Sequence, residues 1–197
     1  MTLRASALRA VAFVLLSVLL AGCVNDATAI QSFDPAKPCG GADSQVMKGA
    51  YPDLEAGLPT KLASVAATSL VSGRLCSANT LGTLYGRGIH ETRFASAVWN
   101  YGGGSGIQLT LMSADGLTVA NVLESYTSGA ANAPKVHSLV TSNITVNGLA
   151  GMRADIENDD YAQDVVVWPG GGAGQVRVVI TSNIHEVDLK TALAAFQ

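Results

Sequence analysis

The segment QDVVVWPGGGAGQVRVVI, Gln163–Ile180, carries the pattern that decides the fold class. A β-branched run ends at Trp168, a glycine-rich turn follows, and Val176, Val178 and Ile180 then alternate with polar or opposite-facing neighbours, which is the period of a strand. The stretch WNYGGGSGIQL, Trp99–Leu109, nearly repeats it. There Ile107, Leu109 and Leu111 face one way and Gln108 and Thr110 the other. Both segments read as strand, glycine turn, strand.

Each hairpin leads through a short polar turn into a helical stripe. Val119, Val122, Leu123 and Tyr126 follow the first, and Leu189, Ala192, Leu193 and Phe196 the second, both at i, i+3, i+4, i+7. Gly102–Gly106 maps onto Gly170–Gly174 at an offset of 68 and the stripes map at 70, an echo that suggests a duplicated β-β-α unit or convergence on one hairpin grammar. Between them, Val136, Val140, Ile144 and Val146 share a strand face. Asn147-Gly148 is the favoured pair of a type I′ turn, and Ala150, Met152, Ala154 and Ile156 return beyond it. Asn158-Asp159-Asp160 turns the chain again. Upstream, Asp53 is a candidate cap for a short helical turn, Ser64–Val71 reads as a weak strand, and Ser77 as the cap of a helix through Leu81, Leu84 and Tyr85 that stops at Gly86 or Gly88. The expected class is α+β: an antiparallel sheet with helices packed on one face.

The first residues give an address. Arg4 and Arg9 precede an apolar run, Val11–Ala21, that is too short to span a bilayer of roughly 30 Å as a helix. Leu20-Ala21-Gly22-Cys23 follows directly and resembles the lipobox of bacterial lipoproteins. That resemblance implies a signal peptide over residues 1–22, acylation of Cys23, and a protein anchored on the extracytoplasmic side of an envelope membrane, since two or more acyl chains hold where one is marginal. Residues 23–41, polar and carrying Pro35 and Pro38, read as the lipidated cysteine and a flexible tether, leaving 42–197 as one globular domain.

Removing residues 1–22 takes away Arg4 and Arg9 and moves the formal charge from −3 to −5. Without a basic stripe, nucleic acid is not expected as a partner. Cys39 and Cys76 remain after Cys23 and are expected to pair in an exported chain.

The stretch Val146–Phe196, with its hairpin, polar turn, two further strands and terminal amphipathic helix, is similar in pattern to PsbP-like and Mog1-like domains. The similarity implies an α+β fold and an accessory, binding or assembly role rather than catalysis.

Motifs for chemistry fail one by one. Neither glycine run has the lysine of a phosphate loop, and both join strand to strand where a dinucleotide fingerprint needs a helix. No cofactor is therefore expected. Ser105 lacks the second glycine of a nucleophile elbow, and the Ile-His-Glu tripeptides at His90 and His185 lack the second histidine of a zinc site. The acidic stretch Asp155, Glu157, Asp159, Asp160 and Asp164 lacks the glycine and terminal glutamate of a calcium loop and reads as a charged turn at a sheet edge. No metal site is expected. Trp99, Tyr101 and Trp168 adjoin the glycine tips; they read as a ligand or partner rim if the hairpins lie side by side, or as aromatics closing the core.

The function read from these features is a non-enzymatic binding or accessory module for an unknown envelope protein or a small apolar ligand. Two alternatives stand beside it. One is an envelope hydrolase with dispersed residues such as Ser105, His90 and Asp115. The other is a carrier of lipids or other hydrophobic molecules, which would have an apolar cavity between sheet and helix.

Overall fold

The computed structural model describes residues 33–131 and 133–197. The expected signal peptide and Cys23 lie outside the described residues. The elements run β1 (Ser44–Met47), α1 (Pro52–Ala56), β2 (Lys61–Leu62), β3 (Val65–Ala66), β4 (Ser69–Leu75), α2 (Ala78–Leu81), α3 (Thr83–Gly86), β5 (Thr92–Gly102), β6 (Ser105–Ser113), α4 (Val119–Ala131), β7 (Val136–Val146), β8 (Leu149–Asn158), β9 (Ala162–Pro169), β10 (Gln175–Ser182) and α5 (Glu186–Ala195). Eight strands form one sheet in the order β1-β4-β5-β6-β10-β9-β8-β7, and β2 and β3 form a small ribbon. Every pairing is antiparallel. The protein is broadly α+β and rich in strand.

Local chemistry places the turns. Asn147 and Gly148 sit at φ 51° and 81°, as a type I′ turn requires. Ser77 caps α2 in a reciprocal box with Thr80, but the helix expected to continue through Tyr85 breaks at Gly82 into two four-residue pieces. Gly82 has φ +54°, and a Cβ there would lie 3.4 Å from the Ser125 hydroxyl of α4. A larger residue would meet both the strain and the neighbouring helix. Asp53 lies inside the first turn of α1, whose cap position is Tyr51 without a side-chain bond.

Alternation along the central strands builds two cores. Ala97, Trp99, Leu109, Val166, Trp168 and Val179 point to one face, where α1 and α5 cover them. Val165, Val167, Val178 and Ile180 point to the other, under α2, α3 and α4. Val165 and Val166 are both fully buried although they face opposite ways, because helices lie on both sides of the sheet. The expectation that helices pack on one face is thereby corrected to three layers. The cause is legible in the valine runs, since a strand buried on both faces reads as continuous rather than alternating apolar residues.

The two β-β-α segments meet at the centre of the sheet, where β6 pairs with β10. Their helices nevertheless go to opposite faces, Val122 and Leu123 of α4 to one core and Leu189 and Leu193 of α5 to the other. A two-fold axis relating neighbouring antiparallel strands preserves the face, so the segments do not superpose as complete β-β-α units. What they share is the hairpin.

The N-terminal part of the domain is stapled. Cys39 and Cys76 form a disulfide across 37 positions. Arg74, only 2% exposed, donates to the carbonyls of Lys37 and Pro38 and to Gln45 Oε1, and lies over the Phe33 ring at 5.0 Å. Phe33, Lys37, Pro38 and Cys39, which fall in the stretch expected to be a flexible tether, are held by these contacts.

Candidate functional site

The face under α2, α3 and α4 is not completely filled. A cavity of about 490 Å³ lies between sheet and helices, inside the roughly 300–1,000 Å³ range of small-molecule sites. Its floor comes from β4 to β10. At one end Leu75, Phe94 and Met112 present apolar surface, and Val165 and Ile180 continue it across the middle. Its roof comes from Asn79, Thr83 and Leu84 of the broken helix and from Ser125, Tyr126 and Gly129 of α4.

Local sequence explains why this space stays open. Thr118 caps α4, accepting from the Asn121 amide at 3.2 Å, and the helix then packs over β8 and β9 through Val122 and Leu123. Past Tyr126 it presents Ser128 and Gly129 toward the sheet, residues too small to reach the floor. On the other side, the break at Gly82 holds α2 and α3 as short turns, joined to α4 by the Ser125 hydroxyl donating to the Leu81 carbonyl at 3.3 Å.

No Asp, Glu, Lys, Arg or His is among the described residues lining the cavity. Its polarity comes from neutral groups. Gln108 Nε2 donates to Thr110 Oγ1 at 3.1 Å, and that hydroxyl bonds Ser96 at 3.2 Å. Gln163, 4% exposed, donates to Ser182 at 3.5 Å. Thr83 Oγ1 is buried with no hydrogen-bond partner among the described residues. Burial pushes the Tyr126 phenol up to about 12, so it stays a neutral hydroxyl across the physiological range.

The rim expected from Trp99, Tyr101 and Trp168 is not assembled. Trp99 and Trp168 are both 0% exposed in the core on the opposite face, and only Tyr101 reaches solvent. Trp99 donates to the Val65 carbonyl at 2.9 Å, and Trp168 meets Phe196 edge to face at 5.5 Å. The register gives a second reason. Gly106 pairs with Ser182 and Ser113 with Gln175, so the tip at Gly103 and the tip at Gly171 lie at opposite ends of the sheet rather than side by side.

That separation also scatters Ser105, His90 and Asp115. Ser105 opens β6 and Asp115 follows its far end, which puts them apart by at least the strand, about 26 Å at roughly 3.3 Å per residue. His90 is exposed and stacks edge-on against Tyr85 at 4.5 Å. These three do not converge.

Of the five acids in the acidic stretch, four, Asp155, Asp159, Asp160 and Asp164, meet a basic side chain. Arg153 reaches Asp155 at 2.5 Å, Asp164 at 2.8 Å and Glu186 at 3.1 Å, while Lys135 holds Asp160 at 2.8 Å and His137 holds Asp159 at 2.5 Å. Burial, and a hydrogen bond that its protonated form donates to Asp164, raise the Asp155 carboxyl above its ordinary value, against the pull of Arg153. Among the described residues no group of three or more His, Cys, Asp or Glu side chains is arranged to hold a metal ion, and no helix is long and apolar enough to cross a membrane.

Sequence reasoning named none of the residues that line the cavity as a site. One signal was present. Gln108, Thr110 and Gln163 lie on faces of central strands that helices were bound to cover once both faces were buried, and buried polar residues on such strands mark a place where packing is incomplete. No family model, curated protein or solved structure matches the chain.

Proposed function

We propose that the protein is a ligand-binding module of the bacterial envelope, anchored through Cys23 on the extracytoplasmic side of a membrane after removal of residues 1–22, and that its cavity takes a small, uncharged, largely apolar molecule. The observation that carries this reading is a cavity of about 490 Å³ whose surface is mostly apolar, with neutral polar groups and no charged side chain among the described lining residues. The buried Thr83 hydroxyl, without a hydrogen-bond partner among the described residues, supports it, because an unpaired polar atom is costly unless water or ligand bonds to it. Of the alternatives, binding and carriage share this site and differ in whether the ligand is released to an acceptor.

The binding step is tested with N-phenyl-1-naphthylamine, a neutral apolar dye whose emission rises in dry pockets. The expected result is saturable binding that Val136→Trp, which puts an indole in place of a lining side chain, abolishes without moving the melting temperature. Absence of saturable binding by the unsubstituted domain would end this reading. Anchoring has its own test: Cys23→Ala is expected to release the protein from membranes, and a variant that still sediments with them would refute the lipid anchor.

A further inference from the structure

The cavity floor is polarised along the strands, and this ordering names the class of ligand. Register fixes the direction. Leu75 pairs with Thr92, and Phe94 with Met112, at the end where β6 finishes. Gln108 lies four residues back along β6, and Gln163 of β9 pairs with Ser182, which in turn faces Gly106 near the start of β6. Asn158 and Tyr161, at the turn joining β8 to β9, close the same end. One end of the floor is therefore hydrocarbon, Gln108 brings a carboxamide to its middle beside Ile180 and Val165, and Gln163 brings a second to the far end beside Ile156, about eight residues of strand from Leu75.

We infer that the ligand is a neutral amphiphile, its apolar chain lying on Leu75, Phe94 and Met112 and its uncharged, hydroxyl- or amide-bearing head on Gln108 and Gln163. This rests on the reading of the cavity as a ligand site. Each carboxamide spends its amino group on a neighbouring hydroxyl, which leaves its oxygen to accept a hydrogen bond. Plain hydrocarbon over these oxygens would bury them unpaired. An anionic head is disfavoured for a separate reason. Lys135, the chain neighbour of the lining residue Val136, is held by Asp160, and His137 on its other side is held by Asp159, so these groups offer a carboxylate no free cation and two acidic neighbours.

Displacement of N-phenyl-1-naphthylamine by 1-monolauroylglycerol and by laurate at pH 8, each below its aggregation concentration, tests the inference. The two share a chain and differ in head group. Monolauroylglycerol is expected to compete at least tenfold more strongly than laurate, and Gln108→Leu to reduce that ratio. Gln108→Arg, which places a cation on the floor, is expected to shift the preference toward laurate. Equal competition by both compounds, or a stronger effect of laurate on the unsubstituted protein, overturns the neutral-head inference while leaving the cavity as a site. Failure of the dye itself to bind overturns both.

Discussion

At the scale of single residues, exposure separates side chains that similar sequence contexts had grouped. Trp99 and Trp168 flank glycine tips as Tyr101 does, yet both indoles are sealed in the core and the phenol is not. Trp168→Ala is expected to cost about 3–5 kcal/mol in chemical denaturation, the range for a large core aromatic, while Tyr101→Ala should stay within about 0.5 kcal/mol as surface substitutions do. Tyr126 gives a pH signature. Its folded pKa, about 12, stands above the unfolded value near 10, so the neutral phenol's contribution is complete below pH 10 and is lost as pH rises toward 12. Comparing unfolding free energies at pH 9 and 11, wild type should lose about 1 kcal/mol that Tyr126→Phe retains. Equal losses in the two proteins would mean that the phenol is solvated in the folded state.

At the scale of elements, much of the local grammar was legible. The hairpins, the Asn147-Gly148 turn, the Ser77 cap and the two helical stripes follow from period and turn chemistry, which are properties of a few neighbouring residues. What was not legible depended on where elements meet. The side-by-side tips failed because strand direction around β6 and β10 is settled by pairing, not by the glycine pattern. Glycines that look alike also differ in role. Gly174 has φ +66° and a Cβ there would fall 2.3 Å from the Ala114 carbonyl oxygen, whereas Gly171 has its nearest neighbour at 3.9 Å. Gly174→Ala is accordingly expected to lower the melting temperature clearly and Gly171→Ala to leave it nearly unchanged. The disulfide acts on the cavity wall as well as on stability. Cys76 directly precedes the Ser77 cap of α2, and the Asp43 carbonyl accepts both the Cys76 amide and the Thr80 hydroxyl. Replacing both cysteines by serine should cost about 4 kcal/mol on chain-entropy grounds and raise hydrogen exchange most over residues 33–43 and 78–86.

At the scale of the whole molecule, covering both faces of the sheet decides where function sits. One face is filled by Trp99, Trp168, Phe196 and their neighbours, and the other keeps a cavity because α4 offers small residues and the α2–α3 segment is broken at Gly82. The sequence showed the valine runs that demand two covered faces, but the volume left under a helix depends on how helix and sheet are spaced, and no local pattern encodes that spacing. Assignment of Ile and Val methyl resonances followed by titration with 1-monolauroylglycerol reads the two faces side by side, since Val165 and Val166 are chain neighbours pointing into different cores. Saturable shifts at Val165, Ile156 and Ile180, with Val166 and Val179 unmoved, are the predicted result. Shifts confined to Val166 and Val179, or none at either face, would contradict the assignment of the cavity as the binding site.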